Sequence, residues 1–266
     1  MSVSFSGRCF CVITGASQGF GRCLAVAFAQ ALSAGSSSLV DLVLTARGRE
    51  GLEETKRLVL GITSTVNVHV VTGDIADINK LDNLCADLLQ PSLGNKYEQT
   101  LLINNAGSVG DVSKHFRKCT NLEVQAEMNC NVTSFIVLTG KFIEHFHETP
   151  TAVVNISSLC ALQPFASMGT YCTMKAARDM ALKVYAKEQP KVICLNYAPG
   201  PLETAMTDTL RVNLVDEQIR GYFKKMKEEK TFVKMEDSAQ KLIHLLRSGA
   251  FQSGDHVDFY DPMPTT

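Results

Sequence analysis

Apolar runs alternate along this chain with segments of helical periodicity. The runs are short and rich in β-branched residues, which is typical of strands buried in a parallel sheet. The predicted strands are residues 10–14, 39–45, 66–72, 101–103, a run that begins at Val153, 191–197 and 254–260. The predicted helices are residues 22–32, 81–89, 122–147, a segment that begins near Tyr171, and 236–247. This alternation predicts an α/β fold: a single-domain, Rossmann-type, doubly wound, seven-stranded parallel sheet with helices on both faces.

Residues 205–235 interrupt this alternation. They are charged and rich in methionine, with helical patches. Such a segment after the sixth strand is either a lid on the substrate side of a site or a solvated excursion. Residues 1–266 otherwise contain no repeat, low-complexity tract or linker, so a single domain is expected.

Composition narrows the class of protein. The chain has 266 residues, 45% of them hydrophobic, and a formal net charge of −1, which gives no reason to expect nucleic acid or an anionic membrane as a partner. No leader-like N-terminus and no apolar run of membrane-spanning length is visible. The nine cysteines form no C-x-x-C pair, which favours reduced thiols in the cytoplasm over disulfides or a metal site.

A glycine-rich turn follows the first strand. Its sequence is Gly15, Ala16, Ser17, Gln18, Gly19, Phe20, Gly21. A strand, a glycine turn and a helix start can cradle a phosphate, because glycines let the backbone approach it and free N–H groups point at it. The spacing G-x-x-x-G-x-G differs from the common dinucleotide fingerprint, and any tight strand-to-helix turn also favours glycine.

The ends of the next strands carry further candidates for cofactor binding. Arg47 and Gly48 follow the second strand, where an arginine suits the 2′-phosphate of NADP and an acid would suit the free hydroxyl of NAD. Asp74 and Ile75 follow the third strand, and Asn104 follows the fourth. Each could equally be an ordinary loop or turn residue.

The segment from Val153 holds the candidate chemistry. Tyr171 and Lys175 are four residues apart, so on a helix they share one face. A neighbouring ammonium favours the phenolate, so Lys175 is expected to lower the pKa of Tyr171 toward the working pH. Ser158, thirteen residues before Tyr171, could bond the same substrate oxygen. Tyr-x-x-x-Lys also arises by chance in helices, as a half-buried ring beneath a solvated amine.

Taken together, the glycine turn, the run N-N-A-G at 104–107, Asn131, Ser158, Tyr171, Lys175 and the pair P-G at 199–200 resemble the short-chain dehydrogenase/reductase family over essentially the whole chain. Other stretches, such as LLINNAGSVGDV at 101–112 and HVDFYD at 256–261, are similar to the branch of that family that reduces side-chain carbonyls of pterins.

The resemblance implies a role for each matched position. Tyr171 is the proton donor, Lys175 holds the nicotinamide ribose, Ser158 bonds the carbonyl oxygen, and Asn131 anchors a proton path behind Lys175. NADPH contacts are implied for the glycine turn, the residues after the second to fourth strands, Tyr171, Lys175, Leu202, Glu203, Thr204, Ala205, Met206 and Thr207. Substrate contacts are implied for Ser158, Leu159, Tyr171, Gly200 and Asp258. No metal is implied.

Asp258 also makes sense on physical grounds. A pterin ring presents an amino group beside a ring N–H, and one carboxylate can accept both hydrogen bonds. Outside the family, an aspartate on a terminal strand is usually a solvated surface group. The family further implies a homodimer through the helices at 122–147 and after Tyr171.

Two departures and two alternatives accompany this interpretation. Gln18 stands where NADP-preferring members carry an arginine, and Gly48 stands where an asparagine is expected. The alternatives to a pterin reductase are a general carbonyl or diketone reductase of the same family and a non-enzymatic NADPH sensor.

Overall fold

The computed structural model describes residues 2–3, 7–33 and 39–263. These residues form a seven-stranded, all-parallel sheet with the strand order β3-β2-β1-β4-β5-β6-β7, which confirms the predicted fold. The strands are β1 Cys9–Thr14, β2 Val40–Ala46, β3 Val66–Thr72, β4 Gln99–Asn104, β5 Thr151–Ile156, β6 Ile193–Ala198 and β7 His256–Asp258. The chain winds outward from β1 to β3 and then outward the other way from β4. This leaves a switch point between β1 and β4, where ligands bind in open α/β sheets.

Helices cover both faces of the sheet. Their bounds are α1 Gly19–Leu32, α2 Arg49–Leu60, α3 Leu81–Leu89, α4 Asn121–Met128, α5 Ser134–His145, α6 Gly169–Glu188, α7 Ala205–Asn213, α8 Glu217–Glu229 and α9 Met235–Ser248. Because strand side chains alternate in direction, β1 sends Cys11 and Ile13 into one core with α1, α2 and α9. It sends Phe10 and Val12 into a second core with α3, α5 and α6.

Several predicted boundaries were wrong. Helix α2 was not predicted, although Leu52, Thr55 and Val59 are buried at helical spacing along it. The single helix predicted over residues 122–147 is divided by a π-helical turn, Asn129–Thr133. The last strand is only three residues long, and it ends at Asp258 because the chain turns at Phe259 and Tyr260.

Residues 205–235 are mostly helical. They form α7 and α8, and both helices contribute to a small apolar cluster at the carboxyl edge of the sheet. Leu210 and Leu214 from this segment pack there with Val112 and Tyr171. The segment is therefore packed against the sheet edge where ligands are expected.

The strands carry one polar row across the α6 side of the sheet. Asn104 of β4 is paired with Asn155 of β5, Asn155 with Asn196 of β6, and Asn196 with His256 of β7. Partners at the same level of a parallel sheet point to the same face. We call these four residues the polar row.

Candidate active site

A cleft of about 1940 Å³ opens at the carboxyl ends of the strands. It is lined by nearly all the residues predicted to bind cofactor or substrate: Gly15, Ser17, Gln18, Gly19, Phe20, Gly21, Arg47, Gly48, Asp74, Ile75, Ser158, Leu159, Tyr171, Lys175, Gly200, Leu202, Glu203, Thr204, Ala205, Met206, Thr207 and Asp258. The fold thus brings together segments from opposite ends of the chain.

Three predicted residues lie behind the wall of the cleft. Ala16 is fully buried, and its backbone is already used: its N–H donates to Thr45 O at 3.1 Å and its carbonyl accepts from Thr55 Oγ1 at 2.8 Å. Asn104 is buried and donates to Thr139 Oγ1 at 3.1 Å. Asn131 is also buried. These residues can support the cleft, but their side chains do not line it.

The glycine turn brings backbone close to backbone. Gly15 has φ +67°, and a Cβ there would come within 2.8 Å of Asn105 Nδ2, which donates to Thr14 O at 2.9 Å. Glycine is therefore required at this position on two grounds. In the described chain, no side chain caps the start of α1 and its first turn holds no acid, so its free N–H groups suit an anionic phosphate.

Arg22 supports this turn from behind, a role that the sequence analysis missed. Its guanidinium donates to Ser17 O, to Gly51 O at 3.2 Å and to Thr55 Oγ1 at 3.1 Å. These bonds tie the glycine turn to α2. Its position one residue after the last glycine gave no signal by itself, because Gly51 and Thr55 lie on a helix that was not predicted.

The outer end of the cleft fits the adenosine half of a dinucleotide. Arg47, at the end of β2, lines the cleft, whereas the nearby Arg49 pairs with Glu53 at 3.3 Å along α2. The Asp74 carboxylate accepts from Ala76 N at 3.0 Å and also lines the cleft. A cation with no acid at the tip of β2 is the donor set expected for a 2′-phosphate.

The inner wall carries the predicted proton-transfer residues. Ser158 follows β5, and its Oγ accepts from Cys160 N at 3.2 Å. Tyr171 and Lys175 lie one turn apart on α6, both buried, with the Lys175 Nζ 5.5 Å from the centre of the Tyr171 ring. Lys175 Nζ donates to Ile156 O at 2.6 Å, which fixes the ammonium against the end of β5.

The electrostatics of this wall correct one prediction. Burial lowers the pKa of Lys175 to about 7, and the neighbouring Arg178 guanidinium adds to that shift. Burial raises the pKa of Tyr171 well above its ordinary value, and the charge nearby that opposes the rise is Arg178. The expectation that Lys175 brings the pKa of Tyr171 down is therefore wrong for this arrangement. The phenol is held in its protonated, donating form.

Asn131 lies in the π-helical turn between α4 and α5. Its Oδ1 accepts from Ser108 N at 2.9 Å, and its Nδ2 donates to Glu127 Oε2 at 3.0 Å. Gly107 has to be small here, since a Cβ would come within 2.9 Å of the Asn131 Oδ1. Asn131 thus shapes the loop after β4, and π-helical turns often occur at functional sites.

Arg178 and Asp179 are the main residues that sequence reasoning missed. Arg178 is 1% exposed and donates to Asn104 O at 2.7 Å, Ala106 O at 2.9 Å and Asn155 Oδ1 at 2.8 Å. Asp179 accepts from Asn155 Nδ2 at 2.9 Å and Ser157 Oγ at 2.6 Å. Asp179 is four residues beyond Lys175, so the spacing that joins Tyr171 to Lys175 was a signal for it too.

The substrate end of the cleft combines the Asp258 carboxylate with apolar side chains. The Asp258 Oδ1 accepts from Tyr260 N at 2.9 Å, which orients the carboxylate. Gly200 has φ +74°, and a Cβ there would come within 2.9 Å of Val233. Ile219, Tyr222 and Phe223 of α8 line the same cleft. A largely apolar chamber with an oriented acid can select a flat polar ring by its hydrogen-bonding edge.

Comparison with known proteins agrees with this geometry. The family model described as short chain dehydrogenase matches residues 10–214. The protein belongs to the short-chain dehydrogenase/reductase family, and it is an oxidoreductase that acts on carbonyl or hydroxyl groups with a nicotinamide cofactor.

The names of individual relatives give different substrates. The sepiapterin reductase of Rattus norvegicus is 42% identical over 259 residues, covering 96% of this chain and 97% of that protein. A benzil reductase ((S)-benzoin forming) of Bacillus cereus is 27% identical over 255 residues, covering 93% of this chain and 98% of its own. Among solved structures, the KRED1-Pglu enzyme superposes with a TM-score of 0.78 at 22% identity, covering 93% of this chain and 99% of that one, which shows the shared fold.

No helix in the described part of the chain has the length and apolar character needed to cross a membrane. Within the same residues, no cluster of histidine, cysteine, aspartate or glutamate side chains could hold a metal ion.

Proposed function

We propose that this protein is an NADPH-dependent reductase of pterin side-chain carbonyls. Its substrates would be sepiapterin and the 6-pyruvoyl-tetrahydropterin of tetrahydrobiopterin biosynthesis. The observation that carries the proposal is one cleft, with a largely apolar lining, that is lined by Ser158, Tyr171 and Lys175 and also by the oriented Asp258 carboxylate. The 42% identity to the rat sepiapterin reductase supports the same choice of substrate.

Proton transfer is the role of the inner wall. The nicotinamide, when bound, supplies the hydride. Tyr171 gives its proton to the carbonyl oxygen, and its raised pKa means that the phenol is protonated, and so able to donate, at neutral pH. Ser158 Oγ stabilises the developing charge by donating a second hydrogen bond to the same oxygen. Lys175, with a pKa lowered to about 7, can accept and release a proton near neutral pH.

The cofactor-binding residues are also part of the proposal. The open start of α1 would hold the pyrophosphate, and Arg47 would hold the 2′-phosphate that distinguishes NADPH from NADH. The space beside Gly48 is open, since a Cβ there would meet nothing within 4 Å. The residues from Leu202 to Thr207 line the cleft and would close over the nicotinamide half.

Asp258 would hold the pterin so that its side-chain carbonyl faces Tyr171. The amino group and ring N–H of a pterin match the two oxygens of a carboxylate, and positioning of this kind accelerates hydride transfer. Benzil, a diketone with no such edge, could enter the same apolar chamber without using Asp258. The contrast between the two substrates therefore tests the substrate class.

The test is NADPH consumption at 340 nm with sepiapterin and, in parallel, with benzil. The proposal predicts turnover of sepiapterin, and a fall of about 100-fold or more in kcat/KM for sepiapterin in Asp258→Ala, with benzil reduction nearly unchanged. Activity on benzil alone would make the protein a general diketone reductase. Binding of NADPH without reduction of either substrate would leave a cofactor sensor.

We also propose a cytoplasmic homodimer. All nine cysteines lie in the described part of the chain and none is disulfide-bonded, which fits a reducing compartment. Large apolar side chains are exposed on α5 and α6, among them Ile136, Met180 and Val184. Such a surface suits a two-fold interface between copies of the chain. Light scattering should then give twice the mass of the chain, and Met180→Glu should shift it to the monomer.

A further inference from the structure

The polar row ends in a hydrogen bond that no part of the proposed reaction uses. His256 Nδ1 lies 2.6 Å from Asp179 Oδ2, and the two side chains are only 7% and 6% exposed. Because the carboxylate accepts, Nδ1 carries the hydrogen in this arrangement. Burying such a pair costs free energy unless both groups are well bonded. A buried pair of this kind beside a cleft is therefore a candidate for a functional role.

Asp179 connects the three parts of the candidate site. It lies one turn beyond Lys175 on α6, and its Oδ1 accepts from Ser157 Oγ at 2.6 Å, directly before Ser158. Its Oδ2 holds His256, which is two residues before Asp258 on β7. The Asp179 carboxylate lies on α6, the helix that carries Tyr171. It therefore bonds both the segment that leads to Ser158 and the strand that carries Asp258.

Strand β7 needs such a connection. It is three residues long and, among the described residues, it lies at the edge of the sheet and pairs with β6 alone. The backbone bonds that flank it are Gly254 N to Cys194 O at 2.8 Å, Asn196 N to Asp255 O at 2.9 Å and Phe259 N to Ala198 O at 2.8 Å. A short edge strand opens more easily than the interior of a sheet. The bond to Asp179 ties it to α6 as well.

The imidazole has one polar contact within the described residues. Nε2 is buried without a hydrogen-bond partner among them, so the ring is held through Nδ1. A side chain that keeps a donor at the Nδ1 position alone should therefore preserve the connection. Asparagine does so, since its amide nitrogen lies about as far from Cα as Nδ1, whereas alanine does not.

We propose that His256 is a positioning residue for substrate selection: through Asp179 it fixes β7, and hence the Asp258 carboxylate, relative to Tyr171 and Ser158. The inference rests on the proposed function, because it assigns His256 a role in holding the pterin. A role of this kind affects which substrate binds and leaves the reduction of the carbonyl itself unchanged. A carbonyl substrate that does not bind Asp258 should be reduced equally well without His256.

The first experiment compares steady-state constants for sepiapterin and benzil in His256→Ala and His256→Asn. His256→Ala should raise the KM for sepiapterin about tenfold or more, since errors of about 1 Å in placement are expensive, and leave benzil reduction within about twofold. His256→Asn should restore the KM for sepiapterin to within about threefold of wild type. Tyr197→Phe is the matched control: it removes a buried hydrogen bond of β6, to Ser238 O at 2.9 Å on α9, and should change neither substrate.

A double-variant cycle tests whether His256 acts through Asp258. If it does, adding His256→Ala to Asp258→Ala costs no further kcat/KM for sepiapterin, whereas independent effects would multiply. Multiplying effects, a wild-type KM in His256→Ala, or an equal loss with sepiapterin and benzil would each overturn the inference. A wild-type protein that reduces benzil but not sepiapterin would instead overturn the proposed function, and the inference with it.

Discussion

The two halves of the cleft are built in opposite ways. In the cofactor half, polar groups face the opening: the start of α1 is uncapped and Arg47 lines the cleft. In the catalytic half, polar groups are buried and bonded to each other, as Arg178 and Asp179 show. In the cofactor half, the polar groups that face the cleft are available to a bound ligand. The catalytic half is complete beforehand, so that the reacting groups do not have to reorganise during the reaction.

This difference predicts where substitutions act. In the cofactor half they should change affinity and leave folding nearly unaffected. In the catalytic half they should change either the chemical step or the stability of the whole domain, according to whether the residue contacts substrate.

The largest effect is expected at Tyr171. Tyr171→Phe keeps the ring and removes the proton donor, so kcat for any carbonyl substrate should fall by about 1000-fold. Tyr185→Phe is the control on the same helix, because its hydroxyl donates to Ile136 O, away from the cleft. A Tyr171→Phe protein that kept more than about a tenth of the wild-type kcat would show that another group delivers the proton.

Arg178 should govern stability. Arg178→Leu leaves Asn104 O, Ala106 O and Asn155 Oδ1 without their donor, so the free energy of unfolding should fall by about 3 kcal/mol or more. Urea denaturation followed by circular dichroism measures it. In contrast, Arg57→Leu breaks an exposed pair with Glu54, and should lower the free energy of unfolding far less, because surface ion pairs contribute little. Equal losses in the two variants would contradict the contrast between the halves.

Arg47 should govern cofactor choice. Arg47→Ala is expected to raise the KM for NADPH about tenfold while leaving the KM for NADH and the unfolding midpoint nearly unchanged. Arg49→Ala removes an equal charge two residues away, where the side chain pairs with Glu53, and should alter neither KM. The phosphate role of Arg47 is wrong if the two cofactors respond alike.

Lys175 should make stability depend on pH. Its pKa is lowered from 10.5 to about 7 in the folded chain, so between these values the unfolded state binds the extra proton. The free energy of unfolding should therefore rise with pH across this window, by up to about 1.4 kcal/mol per pH unit. Below pH 7 the destabilisation caused by burying the charged ammonium is present in full. Lys175→Met should show a flatter profile between pH 7 and 9. Parallel profiles would mean that Lys175 titrates normally.

The fold could be predicted because apolar strands and glycine turns leave local signals. The strand order follows from chain order and the handedness of crossovers, and β7 is shorter than predicted because the chain turns at both of its ends. Helix α2 was missed because its charged residues, such as Arg49 and Glu53, obscured the buried stripe of Leu52 and Val59.

The candidate site was predicted only in part, for a physical reason. Residues that line the cleft belong to motifs with fixed spacing, such as Tyr171 with Lys175. Residues that hold those motifs in place, such as Arg22 and His256, find partners from distant parts of the chain. Burial dominates the pKa of Tyr171, and burial is a property of the assembled fold that the spacing on one helix does not reveal.

The order of the strands has a consequence for how the protein comes into being. During synthesis the chain emerges from its N-terminal side, so the phosphate cradle after β1 is made first and the helix of Tyr171 later. Strand β7, with His256 and Asp258, is made after every other strand of the sheet. A nascent chain therefore carries Ser158, Tyr171 and Lys175 before it carries the residues that we propose select the substrate.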